Sequence, residues 1–173
     1  MIAMSLKEYD FIVKNYVSKT GVPFLAVEYR LAPEYPAPIP VTDTYAGLKY
    51  LHEHASELGV DPERIAVMGD SGGGGVAASL THYVKKKGGP KISKQILVYP
   101  MLDDRTVELD EGIVPYAAWK VDDNKTGWQA LLGDRYGTDD VGPIDAAGRM
   151  TVEDARGLPD CYIDVSSYWR GYT

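Results

Sequence analysis

Cysteine and long apolar runs are scarce in this sequence, and its acidic side chains outnumber the basic ones. The one cysteine, Cys161, excludes an intramolecular disulfide framework, and its apolar, strand-like surroundings predict a buried and inert thiol. No apolar run is long enough to span a bilayer, and residues 1–10 lack the pattern of a signal peptide, so a cytoplasmic location is the default expectation. The net charge of −7 argues against nucleic acid or an anionic membrane as the main partner.

The most informative stretch is residues 64–78, which read RIAVMGDSGGGGVAA. A short apolar run meets a glycine-rich turn with Ser71 at its apex, and a helical pattern follows at once, which predicts a strand, a sharp turn and a helix. Gly69 and Gly73 let the main chain fold back on itself, so the Ser71 hydroxyl is expected over the end of the sheet. The helix start places the N–H of Gly72 to stabilise an oxyanion. The pattern therefore predicts Ser71 as a nucleophile, and the alternative is a structural turn whose serine caps the helix.

The composition is that of one globular domain covering residues 1–173, since 45% of the residues are hydrophobic and 25% are charged. Strand patterns alternate with helical ones, which predicts an α/β fold with a mainly parallel sheet and helices on both faces. A capping box at Ser5 and Glu8 starts the first helix, which runs to Gly21. The predicted strands are Pro23–Tyr29, the run before Ser71, Gln95–Pro100 and Leu158–Val165.

A proline-rich loop and a second helix lie between the first two predicted strands. Arg30 and Glu34 are expected to pair and hold the loop. Thr42 or Asp43 is expected to cap the helix, which ends at Gly59.

Residues 103–156 separate the last two predicted strands and differ from the rest of the chain. They contain scattered glycines, many acids and two short helical patterns, Tyr116–Trp119 and Thr126–Leu132. An excursion of this length is expected to form a lid over the strand ends. Trp119 and Trp128 either line a substrate pocket beneath it or serve in ordinary packing.

Four segments, in this order, resemble the hormone-sensitive-lipase-like branch of the α/β-hydrolases, the fold-3 carboxylesterases. They are YRLAPE at 29–34, GDSGG at 69–73, LVYP at 97–100 followed by LDD, and LP at 158–159 leading into YIDV. The resemblance implies hydrolysis of carboxylic esters, usually of short or medium acyl chains, with no metal or organic cofactor. It also implies that Ser71 is the nucleophile activated by a histidine, and that Gly72 supplies one oxyanion N–H.

The rest of the family's catalytic set does not match. The acid position is filled by residues 166–170, the histidine position falls beyond Thr173, and Met1–Met4 stand where the family has its His-Gly-Gly-Gly loop. The strand before that loop is also missing, so the strand at 23–29 must pair directly with the strand before Ser71 or leave open edges. We therefore expect a domain truncated at both ends, with little turnover and marginal stability.

The three histidines do not supply the missing base. His82 follows Ser71 by eleven residues on one helix, which at about 1.5 Å per residue places it roughly 16 Å away. His52 and His54 are two residues apart on another helix and face different directions. All three are predicted to be solvated or partly packed.

The prediction from the sequence is an esterase or lipase-like protein acting on a small ester, with two alternatives. The first is a non-catalytic protein that keeps the hydrolase pocket to bind a small ligand. The second is dinucleotide binding at Gly72-x-Gly74-x-x-Ala77, although no Asp or Glu stands between Ala78 and Met101 to hold a ribose.

Overall fold

The computed structural model describes residues 1–108, 112, 115, 117 and 119–165. From α2 to α4, helices and strands alternate as the sequence predicts. The elements are α1 (Leu6–Thr20), α2 (Ile39–Glu53), β1 (Ala66–Asp70), α3 (Gly72–Lys87), β2 (Lys94–Val98), α4 (Val121–Leu132), α5 (Val152–Ala155) and β3 (Asp160–Asp164). Within the described part of the chain, no helix has both the length and the apolar character that crossing a bilayer requires.

The predicted capping box is present at the start of α1. The main-chain N–H of Ser5 donates to the Glu8 carboxylate at 2.7 Å, and the N–H of Glu8 donates back to the Ser5 hydroxyl at 3.4 Å. Gly21 ends the helix in the left-handed region with φ of 67°. Both ends of α1 are therefore set by local sequence.

The three strands form a parallel sheet in the order β1-β2-β3. Met68 of β1 is level with Ile96 of β2, which is level with Tyr162 of β3. Parallel strands place their carboxyl ends at one edge, so the residues that follow all three strands meet there. Ser71 directly follows β1 and lies at this edge.

The core lies where α3 packs against β1 and β2 and where α2 packs against α3. Ten residues of α3 are buried, which makes this helix the central support of the sheet. One cluster of buried residues joins α2, the residue before β1 and α3: Val41, Leu48, Ile65, Val76, Leu80 and Val84. A second cluster joins α4 to the loop before α2 and to the loop that follows α4: Ala32, Trp128, Leu131, Leu132, Val141 and Ala146. The helix that starts at Ser71 is thus held by packing along its length.

The strand predicted at Pro23–Tyr29 is wrong. These residues have no regular secondary structure, and the sheet of the described residues contains β1, β2 and β3 alone. A strand exists as part of a hydrogen-bonded ladder, and the described residues offer this segment no ladder to join. Val27 instead packs against α2, where its side chain lies against Gly47.

The loop and helix after this segment also differ from the prediction. Arg30 pairs with Asp43 and not with Glu34, through two side-chain hydrogen bonds of 2.9 and 2.7 Å. The Arg30 guanidinium lowers the pKa of the Asp43 carboxyl, which stays charged and ties the loop to α2. Neither Thr42 nor Asp43 caps this helix, because α2 begins earlier, after Pro38, and it ends at Glu53, before the predicted end.

The prediction of a buried Cys161 is wrong as well, because its side chain is exposed. All five residues of β3 are exposed, although strands of parallel sheets are usually covered on both faces. An apolar run predicts burial only when another layer lies over it. Among the described residues no such layer covers β3.

Candidate active site

The backbone of Ser71 has an unusual conformation. Its φ of 52° and ψ of −117° lie in a region that L-residues rarely adopt. Such a conformation costs on the order of 1–3 kcal/mol and persists where the surrounding structure holds it, most often at functional sites. The outlier falls on the residue that the sequence predicts as the nucleophile.

Three main-chain hydrogen bonds hold Ser71 in this conformation. Its N–H donates to the carbonyl of Val98 at 2.9 Å, and its carbonyl accepts from Met101 at 2.9 Å and from Gly75 at 3.2 Å. The turn is therefore clamped between the end of β2 and the first turn of α3. Gly69 makes the close approach possible, since a Cβ at this position would overlap the carbonyl of Gly73.

The side chain of Ser71 is exposed and makes no capping hydrogen bond to α3. A serine that served only as a helix cap would accept a bond from the second or third N–H of the helix. The alternative in which Ser71 serves only as a helix cap is therefore not the arrangement found among the described residues, and the exposed hydroxyl lies at the sheet edge.

Two main-chain nitrogens lie at the turn that carries this hydroxyl. Gly72 is the first residue of α3, so its N–H has no hydrogen-bond partner within the helix. This N–H belongs to the positive end of the helix dipole. The main-chain nitrogen of Met1 lies 2.9 Å from where a Cβ of Gly72 would stand, and the Met1 carbonyl accepts from the N–H of Ala32 at 3.0 Å. The family resemblance aligns Met1–Met4 with the oxyanion loop, but no motif in this sequence singled out the Met1 nitrogen, which tertiary contact brings to the turn.

The carboxylate of Asp70, next to Ser71, is occupied by two tyrosines of α1. The hydroxyls of Tyr9 and Tyr16 both donate to its Oδ2, the second at 3.1 Å. Burial and the nearby Asp70 charge raise the pKa of Tyr16 to about 12, and the same causes raise the pKa of Tyr9. Both hydroxyls therefore stay protonated and donate. Their spacing of seven residues places them on one helix face, a signal that sequence reasoning left unused.

Among the described residues, no histidine lies near Ser71. His52 and His54 belong to α2 and the residue after it, and His82 lies far along α3. His82 is fully buried, which corrects the prediction of a solvated or partly packed side chain. Within the described part of the chain, neither of its ring nitrogens has a hydrogen-bond partner of good geometry. The predicted acid position at 166–170 lies outside the described residues, and no group of three potential metal-ligating side chains occurs among those described.

The two tryptophans have different environments. Trp128 is 1% exposed and forms the centre of the cluster around α4, so it serves in packing. Trp119 is 49% exposed and lines a cavity beside the loop that follows β2. The helix predicted at 116–119 includes residues outside the described set, whereas the one at 126–132 is part of α4.

Comparison with known proteins gives one consistent result. A family model described as the alpha/beta hydrolase fold matches residues 1–168. Esterase LipI of Mycobacterium tuberculosis is 36% identical over 166 residues, which cover 94% of this chain and 50% of LipI. Carboxylesterase NlhH of the same species is 40% identical over 95 residues, which cover 55% of this chain and 30% of NlhH.

Solved structures agree with the sequence relatives. A bacterial heroin esterase matches with a TM-score of 0.83 and 36% identity, covering 94% of this chain and 52% of that one. Esterase LipW from Mycobacterium marinum matches with a TM-score of 0.80 and 27% identity, covering 94% of this chain and 50% of LipW. The chain thus spans about half of the length of these relatives, and less of NlhH.

Proposed function

The chain belongs to the α/β-hydrolase-fold family, and from that premise we propose that it carries the nucleophile of a carboxylic ester hydrolase, Ser71. The observation that carries the proposal is the backbone of Ser71, which is strained, clamped on both sides and leaves the hydroxyl exposed at the carboxyl edge of the sheet. A serine held in this way on a strand-to-helix turn is suited to attack a carbonyl carbon.

In the proposed reaction the Ser71 Oγ attacks the carbonyl carbon of a small ester while its proton passes to a base. The resulting oxyanion accepts hydrogen bonds from the N–H of Gly72 and from the main-chain nitrogen of Met1. The bond to the alcohol oxygen then breaks, and the alcohol leaves with the proton. Water hydrolyses the acyl-serine, which releases the acid and restores the Ser71 hydroxyl.

The base is the part of this reaction that the described residues do not provide. The buried His82 and the two histidines near the end of α2 are positioned by the fold away from the turn. A serine without a base is a weak nucleophile. The rate of ester hydrolysis by this 173-residue chain therefore depends on which group accepts the Ser71 proton.

We also propose that residues 103–156 act as the lid over this edge. Their start is joined to the turn, since Met101 donates to the Ser71 carbonyl two residues before the segment begins. Within the segment, Trp128 and Leu131 of α4 pack in the same cluster as Met1 and Ala32. The segment therefore shares a core with the residues that surround the proposed oxyanion site.

A fluorophosphonate probe, which reacts with activated serines, tests the nucleophile. We expect slow labelling of the chain, because no described residue supplies a base, with the label mapping to Ser71 and absent in Ser71→Ala. Turnover of p-nitrophenyl acetate should be lost in the same variant. The matched control is Ser56→Ala, because Ser56 is exposed and lies after α2, away from the turn.

Labelling or turnover that survives in Ser71→Ala would exclude this residue as the nucleophile. Saturable binding of an ester without labelling in any variant would contradict the proposal and favour a non-catalytic binding protein.

A further inference from the structure

We propose that Tyr9 and Tyr16 of α1 are positioning residues for Ser71 that act through the carboxylate of Asp70, and this inference rests on the function proposed above. Three observations carry it. One side of β1 has no strand partner among the described residues, two hydroxyls share one oxygen of Asp70, and the helix that supplies them is attached by little else.

The main-chain pairing that leads into Ser71 comes from one side of β1. Asp70, the last residue of β1, is level with Val98 of β2, and the N–H of Ser71 continues this pairing by donating to the Val98 carbonyl at 2.9 Å. On its other side β1 pairs with no strand among the described residues. A strained backbone conformation persists only where its surroundings hold it, so the end of β1 needs a restraint on that side as well.

The side chain of Asp70 supplies this restraint. Its Oδ2 accepts hydrogen bonds from the hydroxyl of Tyr9 and, at 3.1 Å, from the hydroxyl of Tyr16. Hydrogen bonds to a charged acceptor are stronger than those between neutral groups, and Asp70 is half-buried, so these bonds are better protected than at the surface. Because Asp70 directly precedes Ser71, holding its side chain limits the main-chain rotation that would move the Ser71 hydroxyl.

The local structure of α1 presents both hydroxyls to the same point. Tyr9 and Tyr16 are seven residues apart, which is about two helical turns, so they lie on one face. The Tyr16 ring stacks on Phe24, with ring centroids 6.0 Å apart and 9° between the planes, and this contact orients its hydroxyl. At the start of the helix the N–H of Leu6 donates to the Glu28 carboxylate at 2.9 Å.

The apolar packing of α1 is too limited to explain its position. None of its 15 residues, all of which the structure describes, is buried, and Phe11 is 80% exposed. Helices in proteins are stabilised mostly by burying an apolar face. Here the hydrogen bonds to the Glu28 and Asp70 carboxylates provide a large part of the attachment. One of these two carboxylates belongs to the residue next to Ser71, so the helix is tied directly to the turn.

The test removes both hydroxyls and keeps both rings, in the double variant Tyr9→Phe with Tyr16→Phe. One measurement is hydrogen exchange of the Ser71 amide, and the other is fluorophosphonate labelling of Ser71, separated into probe affinity and maximal rate. We expect the amide to exchange about tenfold faster and the maximal labelling rate to fall about tenfold, with probe affinity unchanged. The amide of Leu80, which is buried in α3, reports on the global fold and should keep its protection.

Each single variant keeps one of the two hydrogen bonds and should change both quantities less, in the same direction. If the double variant also loses the protection of Leu80, the single variants decide the outcome.

Changes at Asp70 test whether the tyrosines act through this residue. Asp70→Ala removes the acceptor and should reproduce the double variant, and adding the two tyrosine changes to it should have no further effect. Asp70→Asn keeps an acceptor oxygen and should stay close to the unaltered chain. Tyr50→Phe is the matched control, since it removes a hydroxyl from a tyrosine of α2 that is 50% exposed.

Unchanged exchange and labelling of Ser71 in a double variant whose α1 amides lose protection overturns the proposal, because the tyrosines would then only attach the helix. The proposal is also overturned by an equal effect of Tyr50→Phe, by a full further loss when the tyrosine changes are added to Asp70→Ala, or by a loss in Asp70→Asn as large as in Asp70→Ala.

The two proposals fail separately. Labelling of Ser71 with exchange and rate unaffected by the tyrosine changes removes the positioning role and leaves the nucleophile. Absence of labelling in every variant removes the nucleophile, and exchange of the Ser71 amide then still shows whether the tyrosines hold the turn.

Discussion

His82 is an imidazole enclosed by the protein, and neither ring nitrogen makes a hydrogen bond of good geometry to another described residue. The charged groups nearest to it are Asp154 of α5 and Lys85 and Lys86 of its own helix. Burial is the largest cause of its lowered pKa, the two lysines lower it further, and Asp154 acts in the opposite direction. The folded protein therefore binds a proton at His82 less readily than the unfolded chain does.

The sign of the resulting pH dependence follows from linkage. Between the pKa of His82 in the folded protein and its unfolded value of about 6.5, the unfolded chain holds more protons, so the free energy of unfolding falls as the pH falls through that window. Above about pH 6.5 the imidazole is neutral in both the folded and the unfolded chain, so His82 no longer lowers the free energy of unfolding. We expect the urea midpoint of the chain to decrease between about pH 7.5 and pH 5, and His82→Leu to remove a measurable part of this decrease.

His52→Gln is the control, because it removes a histidine that is only partly buried on α2. It should leave the pH dependence of the urea midpoint as in the unaltered chain. An equal pH dependence in His82→Leu and in the unaltered chain would show that the buried imidazole does not titrate on unfolding.

At the scale of elements, the turn at Ser71 could be predicted because its causes are local. Apolar residues, glycines and small helix formers stand next to one another, and the structure places the strand, the turn and the helix within a residue or two of where the pattern predicts them. The capping box of α1 was predictable for the same reason.

The parts that sequence missed depend on distant partners. Residues 23–29 have the composition of a strand but pair with no other strand among the described residues. Arg30 pairs with Asp43 and not with Glu34, which is nearer in sequence. Cys161 lies on a strand that no described layer covers. The approach of Met1 to Gly72 follows from no motif of this sequence, although the family resemblance aligns Met1–Met4 with the oxyanion loop. Local pattern fixes conformation, whereas burial and pairing are decided by what the rest of the fold supplies.

An ion pair between Asp104 and Arg149 links the start of the segment 103–156 to a residue near its end. The Asp104 side chain is 1% exposed and accepts two hydrogen bonds from the guanidinium, at 2.8 and 2.7 Å. Arg149→Met leaves this carboxylate buried without its partner, so we expect a loss of about 3–5 kcal/mol in the free energy of unfolding, measured by urea denaturation. The double variant Asp104→Leu with Arg149→Met should recover much of that loss.

Arg30→Met is the comparison, because the pair between Arg30 and Asp43 lies at the surface and water can replace the lost partner. Its effect should be much smaller than that of Arg149→Met. Equal losses in the two single variants, or no recovery in the double variant, would show that burial of the Asp104 charge is not what makes the pair costly to break.

At the scale of the whole molecule, apolar side chains remain uncovered on β3, the outermost strand on one side of the described sheet. Tyr162, Ile163 and Val165 are each about half exposed or more, and β3 is paired on one side by β2 alone among the described residues. An open edge with apolar side chains is a template for strand pairing with another chain. We therefore expect the purified 173-residue chain to self-associate as its concentration rises.

Ile163→Lys places a charge on this edge and should shift the chain toward the monomer in sedimentation velocity across roughly micromolar to hundred-micromolar concentrations, since edge lysines oppose strand pairing. Val152→Lys adds the same charge on α5, at a residue even more exposed than Ile163, and should leave association unchanged because α5 offers no free strand edge. If both variants reduce association equally, the effect is one of net charge and the edge of β3 is not the contact. A monomer of the unaltered chain over the whole range, with one cooperative thermal transition, would show that the uncovered strand is tolerated.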